Sequence, residues 1–251
     1  MTKNYLAIDV GGTRLKVGLI DRAGNIIEKY NERTVTTGLP EFLVQLHQVI
    51  DRYAGQIRGV AFSVPGKVAH PTDTIKGGGA LTFMDGVNLR DELQLDLPVA
   101  VENDGKAAAL AELWLGELND VADGMAIVLG TGVGGGLVLN GELVYGTHYQ
   151  AGELSFIFGQ IETGMETSIG LHGSAVEMIK RIGTQLQLPE IDDGLTVFEH
   201  INAGEPAANE IFDAYANQIA LLIQNIQAIT DIQRIVIGGG ISAQPIVAER
   251  I

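Results

Sequence analysis

The chain has 251 residues, 46% of them hydrophobic, which suits one large or two modest globular domains with their own cores. Its 31 Asp and Glu against 16 Lys and Arg leave a formal charge of −15, which argues against partners that need a basic face: no nucleic acid and no anionic membrane surface. Cysteine is absent, so disulfides and thiolate metal sites are excluded and a reducing cytoplasm is the expected compartment.

Met1-Thr2-Lys3-Asn4 leads straight into a strand with no signal peptide before it, and no apolar run reaches the ~18 residues of a membrane span. Tyr5 to Asp9 reads as a short apolar strand, turned by Val10-Gly11-Gly12-Thr13. Leu15, Val17 and Leu19 alternate as a second strand, and after the hairpin signal Ala23-Gly24-Asn25 a third covers Ile26 to Tyr30. Pro40 opens an amphipathic helix with Phe42, Leu43, Leu46, Val49 and Ile50 on one face. Gly59 to Val64 is a buried strand stopped by Pro65-Gly66. From Ala69 to Asn88 no periodicity is visible, and Lys76-Gly77-Gly78-Gly79 sits in this loop, whose length points to function. Pro98 opens another strand, broken by Asn103-Asp104-Gly105, and Ala107, Ala108, Leu110, Ala111 and Leu115 then recur at helical spacing.

The chain next repeats its opening order. Met125 to Leu129 is a strand, Gly130-Thr131-Gly132-Val133-Gly134-Gly135-Gly136 turns it, Leu137 to Leu139 leads to the hairpin signal Asn140-Gly141, and Glu142 to Tyr145 completes the set. Two such units predict two related α/β domains facing each other across a cleft, residues 1–107 and 108–251. Helices follow over Ala175 to Leu186, Leu195 to Ile201 and Asn209 to Thr230, then a buried strand over Arg234 to Ile237 and the turn Gly238-Gly239-Gly240.

Three strands therefore end in glycine-rich turns, a feature that lets backbone N–H groups approach a phosphate, although tight hairpins need glycine as well. No P-loop sequence is present, and Gly134 to Gly136 open a strand and not a helix, so the dinucleotide fingerprint is also excluded. Asp9, at a strand end beside Gly11 and Gly12, suits a Mg²⁺ held through water, or is a turn-forming Asp. Asp104 is a candidate proton acceptor at a strand tip, or an N-cap. The five histidines show no ligand spacing, and Ser63 and Ser155 have no His–Asp pattern to make them nucleophiles.

Asp9-Val10-Gly11-Gly12-Thr13, Val64-Pro65-Gly66, Glu102-Asn103-Asp104, the 130–136 turn, Gly152-Glu153-Leu154 and Ile237-Gly238-Gly239-Gly240 occur in an order that resembles the ROK family of bacterial sugar kinases and repressors. The likeness spans nearly the whole chain. It implies two actin-like (ribonuclease H-like) domains and transfer of the γ-phosphoryl of ATP to a hexose or N-acetylhexosamine. By that resemblance Asp104 is the general base, and Asn103, Glu153, Glu166 and the Gly79 loop meet the sugar. Asp9 is the Mg²⁺-associated carboxylate. Gly11, Gly12 and Thr13, with Thr131 and Gly132, form two phosphate loops, and Gly238 and Gly239 lie on the adenosine side. A homodimer is expected.

The sequence also departs from the family pattern. Phe156 stands where the family's Glu-x-Gly-His motif has its histidine, and the zinc-binding cysteines are missing, so no zinc site is expected. Ile251 falls soon after the third glycine turn, which predicts uncovered apolar surface between Ile235 and Ile251. No helix-turn-helix precedes the first strand, which disfavours the repressor branch. The competing readings are a non-catalytic sugar-binding regulator of the same fold and an actin-like assembly ATPase.

Overall fold

The structure, a computed structural model, describes residues 4–70, 72–158 and 168–251. The chain divides into two compact units, one running through Ala107 and taking back Tyr145–Gln150, the other holding Ala108–Val144 and Ala151–Ile251.

The first unit opens with β1 (Asn4–Val10), β2 (Arg14–Ile20) and β3 (Ile26–Arg33), followed by α1 (Leu39–Asp51) and β4 (Ile57–Val64). A small hairpin, β5 (Lys67–Ala69) and β6 (Thr74–Lys76), a 3-10 turn over Thr82–Met84 and α2 (Leu89–Leu93) lead to β7 (Val99–Asn103), which runs into α3 (Asp104–Leu115). The strands form one sheet in the order β3-β2-β1-β4-β7, with β1, β4 and β7 parallel. Apolar residues alternate along β1 and β2, so Leu6, Ile8, Val10, Leu15, Val17 and Leu19 share one buried face. Pro40 starts α1, whose Phe42, Leu46, Val49 and Ile50 pack into the same core. Gln45, a polar residue on that face, is buried too, because its amide donates to Glu32 and the Arg33 carbonyl and accepts the Val35 N–H.

The stretch from Ala69 to Asn88 is not structureless. Its strands are three residues each, too short to print a period, yet Ile75, Leu81, Met84 and Val87 all enter the core, as does Val68 just before it.

The second unit contains β8 (Gly124–Leu129), β9 (Val133–Leu139), β10 (Glu142–Leu143), a 3-10 turn over Leu154–Phe156, and α4 (Ile169–His172). Helices α5 (Ala175–Gln185), α6 (Gly194–Asn202) and α7 (Pro206–Thr230), the strand β11 (Arg234–Gly239) and α8 (Pro245–Arg250) complete it. Its sheet runs β10-β9-β8-β11, with β8 and β11 parallel, which repeats the β3-β2-β1-β4 order of the first unit. α5, α6 and α7 bury Met178, Ile182, Phe198, Phe212 and Ile219 against it.

Three expectations change here. Gly134, Gly135 and Gly136 lie inside β9 and are not part of the turn, and a Cβ at Gly135 would stand 2.9 Å from the Ala126 carbonyl oxygen as well as against Leu154. β10 stops at Leu143 because Tyr145 leaves for the first unit. β11 is partly exposed and not buried, since it is the outer strand of its sheet among the described residues: Ile235, Val236 and Ile237 are half-buried, while Ile241 and Val247 nearby are buried. None of the described helices is long and apolar enough to cross a membrane.

Phe42 is fully buried, with its ring centroid 5.5 Å from that of Phe83, so Phe42→Ala leaves a cavity under the first sheet. The expected loss is ~3–5 kcal/mol of unfolding free energy, read from urea denaturation as a lower midpoint with little change in slope.

Candidate active site

The parallel strands β1, β4 and β7 end at one edge of the first sheet, with Asp9 in register with Ser63 and Val64 in register with Asn103. Carboxyl ends of parallel strands are where open α/β sheets place ligands, because the strand-to-helix turns gather there. Asp9 accepts the Ser63 hydroxyl at 2.8 Å on one carboxylate oxygen and the Lys16 ammonium at 2.8 Å on the other. The turn after β1 is held from outside: the Thr34 hydroxyl donates to the Gly11 carbonyl at 2.7 Å, and the Thr34 N–H donates to the Thr13 carbonyl at 3.0 Å.

At the end of β7 the two adjacent polar side chains divide their work. Asn103 is buried and is the N-cap of α3, its side-chain oxygen accepting the Lys106 N–H at 3.0 Å. Its amide nitrogen donates to the Gly66 carbonyl at 2.8 Å and to Asp104 Oδ1 at 2.9 Å. Both amide hydrogens are thus committed, and the oxygen keeps one lone pair for a ligand. Asp104 is the first helical residue and is exposed, with the Gly105 N–H also donating to its Oδ1 at 2.8 Å. The capping role open to Asp104 from the sequence is taken by its neighbour. The carboxylate stands at the positive end of the helix, where a negative charge is favoured.

Gly66 completes this corner. Its φ is +86°, and a Cβ would stand 2.5 Å from the Gly77 carbonyl oxygen, so only glycine lets the β4 turn meet the Gly77–Gly79 loop. Gly79 lies beside Pro65 in that loop.

A second polar group adjoins the corner and was missed from the sequence. Glu102 Oε1 accepts the Asn103 N–H at 2.7 Å, and Oε2 accepts the Tyr145 hydroxyl at 2.7 Å, with His70 Nε2 at 3.4 Å. His70 Nδ1 lies 2.8 Å from Asp73, whose other oxygen pairs with Arg90 at 2.8 Å. Burial, and then the bond to the Glu102 carboxylate, push the Tyr145 phenol well above its usual range, so it stays a donor at neutral pH. These residues are far apart in sequence and carry no common spacing; only the adjacency of Glu102 to Asn103 hinted at a role.

In the second unit, Gly130, Thr131 and Gly132 link β8 to β9, and the Gly130 carbonyl accepts the Ala175 N–H at the start of α5. The Ser155 hydroxyl bridges the Val133 N–H at 3.0 Å and the Val133 carbonyl at 3.1 Å, which fastens the turn carrying Glu153 and Phe156 to this loop. Gly238 and Gly239 are the last residues of β11. A cavity of about 360 Å³ opens beside them, lined by Leu129, Val176, Ile179, Phe198, Gly240 and Ile241 and by Asp192 and Asp193. Apolar walls with a few polar groups suit a flat heterocycle.

Asp9, Gly11, Gly12, Thr13, Gly79, Asn103 and Asp104 thus belong to the first unit, and Thr131, Gly132, Glu153, Gly238 and Gly239 to the second. Glu166 lies outside the described residues. Among the described residues no group of three His, Asp or Glu side chains is placed to hold a metal ion. A lone carboxylate such as Asp9 does fit Mg²⁺, which keeps most of its waters and shares phosphate oxygens.

The model of the ROK family matches residues 5–251. A relative named beta-glucoside kinase, from Listeria monocytogenes, is 35% identical over 253 residues, covering 95% of this chain and 83% of its own. The crystal structure of a ROK family protein from Streptococcus pneumoniae in complex with sucrose superposes with a TM-score of 0.85 at 27% identity, covering 98% of this chain and 84% of that one. A ROK family glucokinase from Streptomyces griseus, solved with glucose and AMPPNP, gives a TM-score of 0.86 over 99% of this chain and 87% of that one; at 21% identity it speaks for the fold alone.

Gly66→Ala is expected to break the corner, since an L-residue disfavours that φ and its methyl meets the Gly77 carbonyl. Strain of this kind costs ~1–3 kcal/mol. The variant should unfold at lower temperature in a thermal melt, whereas Gly55→Ala, at a φ of +76° with open space around it, should cost less.

Proposed function

This chain belongs to the ROK family, and on that premise we propose that it is a sugar kinase, transferring the γ-phosphoryl group of ATP to a hexose-type acceptor at its 6-hydroxyl. Free glucose, β-glucosides and N-acetylhexosamines are the acceptor class, in keeping with the names its relatives carry. The observation that carries this reading is the division of labour at the end of β7: Asn103 caps the helix, and the exposed Asp104 carboxylate is held by two hydrogen bonds at one oxygen.

In this reading the Asp104 carboxylate takes the proton of the acceptor hydroxyl as the hydroxyl oxygen attacks the γ-phosphorus. The bond from phosphorus to the bridging oxygen breaks, and ADP leaves with the electron pair. Phosphoryl transfer asks little covalent chemistry of the protein and much positioning. Backbone N–H groups of Gly12 and Thr13 and of Thr131 and Gly132 are the phosphate ligands, the N–H groups of Gly11 and Gly130 being donated to the Arg14 and Gly132 carbonyls, and the cavity beside β11 receives the adenine. Mg²⁺, held through water at Asp9, would neutralise the phosphate charge. The Lys16 partner of Asp9 is 72% exposed and is not locked in place. Glu153 meets a sugar hydroxyl, and Glu166 has the same role by resemblance. A cytoplasmic homodimer is part of the same reading: cysteine is absent, and α3 leaves Trp114 and Leu115 more than half exposed.

Asp104→Asn keeps the shape and the hydrogen bonds but removes the proton acceptor. The expected result is a folded protein whose kcat falls by ~10²–10⁴ with little change in sugar KM. ADP release measured with a panel of glucose, cellobiose, N-acetylglucosamine and N-acetylmannosamine is the assay. Near-normal turnover of the variant removes Asp104 as the base, and ADP release that ignores every sugar points instead to the assembly-ATPase reading.

A further inference from the structure

Among the described residues β7 is the outer strand of the first sheet, with β4 as its one paired neighbour. The N–H of Asn103, at the tip of this edge strand, is answered by Glu102, whose carboxylate oxygen accepts it at 2.7 Å. A charged acceptor makes this bond stronger than a neutral pair would. Glu102 is itself held: its other oxygen takes the Tyr145 hydroxyl at 2.7 Å, and His70 closes on it at 3.4 Å. The His70 and Tyr145 rings meet edge to face, with centroids 4.9 Å apart. Behind them Asp73 fixes His70, and Arg90 spans from Asp73 back to the Val99 carbonyl at the start of β7. The group therefore clamps β7 at both ends. Asp73 is 8% exposed and sits at a φ of +52°, in the left-handed region that Asp tolerates better than most residues.

Asp104 has its carboxylate oriented by Asn103, and Asn103 has its backbone oriented by Glu102. The geometry points to Glu102 and Tyr145 as positioning residues that set the aim of the Asp104 carboxylate. In this role neither takes the proton; both act through Asn103. Tyr145 belongs to the segment Tyr145–Gln150, which departs from the repeated strand order and joins the first unit. That departure acquires a purpose: it supplies the hydroxyl that Glu102 accepts at 2.7 Å. A base must be held to within a fraction of an ångström, and a displacement near 1 Å can cost ~10²-fold in rate.

The inference rests on Asp104 being the base, and the test separates the two. Turnover and KM are measured on the full chain for Tyr145→Phe, Glu102→Ala, Glu102→Gln, Asp104→Asn and the double variant Tyr145→Phe/Asp104→Asn. Tyr145→Phe deletes one oxygen and keeps the ring, and should lower kcat ~10-fold with ATP KM unchanged; Glu102→Ala should lose up to ~10²-fold. Glu102→Gln keeps an oxygen for the Asn103 N–H and should recover most of what the alanine loses. The double variant should be no slower than Asp104→Asn, because a residue acting through the base has nothing left to act on. Wild-type kcat in Tyr145→Phe, equal losses in Glu102→Ala and Glu102→Gln, or additive losses in the double variant would each overturn the inference. If Asp104→Asn itself keeps wild-type kcat, the base assignment fails and the positioning role falls with it.

Discussion

A single buried amide carries the geometry of this protein's candidate site. Asn103 caps α3, holds the Gly66 carbonyl and holds the Asp104 carboxylate with one side chain. Two of the bonds go to the first turn of the helix, at Asp104 and Lys106, and the third to the turn after β4. An apolar or merely capping residue there would leave the Gly66 carbonyl and the carboxylate to find other partners, and a buried polar group without one is costly. The pairing also fixes which way the amide faces, since a carbonyl and an N–H make opposite demands on it.

The two sheets share the order of four strands, and in each a glycine turn follows the first strand of the set. Repeating an antiparallel triplet beside a parallel strand puts strand ends and their turns at one edge of each sheet. The copies differ where function would act on them. In the first unit, the strand after the parallel pair ends in Asn103-Asp104; in the second, the edge by β11 borders an apolar cavity of about 360 Å³. One arrangement suits proton transfer, the other the binding of a flat ring. The third strand of the second triplet is cut to two residues, and the chain beyond it is used in the first unit.

The long segment between β4 and β7 is built like a core element despite its loop-like sequence. Ile75, Leu81 and Met84 are fully buried, which holds the Gly77–Gly79 backbone against Gly66 and Pro65. Polar anchoring comes from the other side, where Asp73 and His70 connect to Arg90 and Glu102. A segment fixed by both apolar burial and hydrogen bonds can present backbone groups to a ligand without paying much ordering entropy on binding.

Much of this was legible in the sequence because it is local. Alternation of Leu15, Val17 and Leu19, the 3.6-residue period of α1, the glycine turns and the repeated strand order are all signals that a chain carries within a few residues. So is the placement of Asn103 and Asp104 at a strand end. What remained open was whether Asp104 caps the helix, because only the position of the Lys106 N–H, which Asn103 accepts, gives the cap to its neighbour. The hairpin β5-β6 was hidden because three-residue strands have no measurable period. β11 reads as buried from its run of Ile and Val, yet burial depends on what stands beside a strand. Glu102, His70 and Tyr145 could be joined only in three dimensions, since hydrogen bonds between distant residues leave no spacing in the chain.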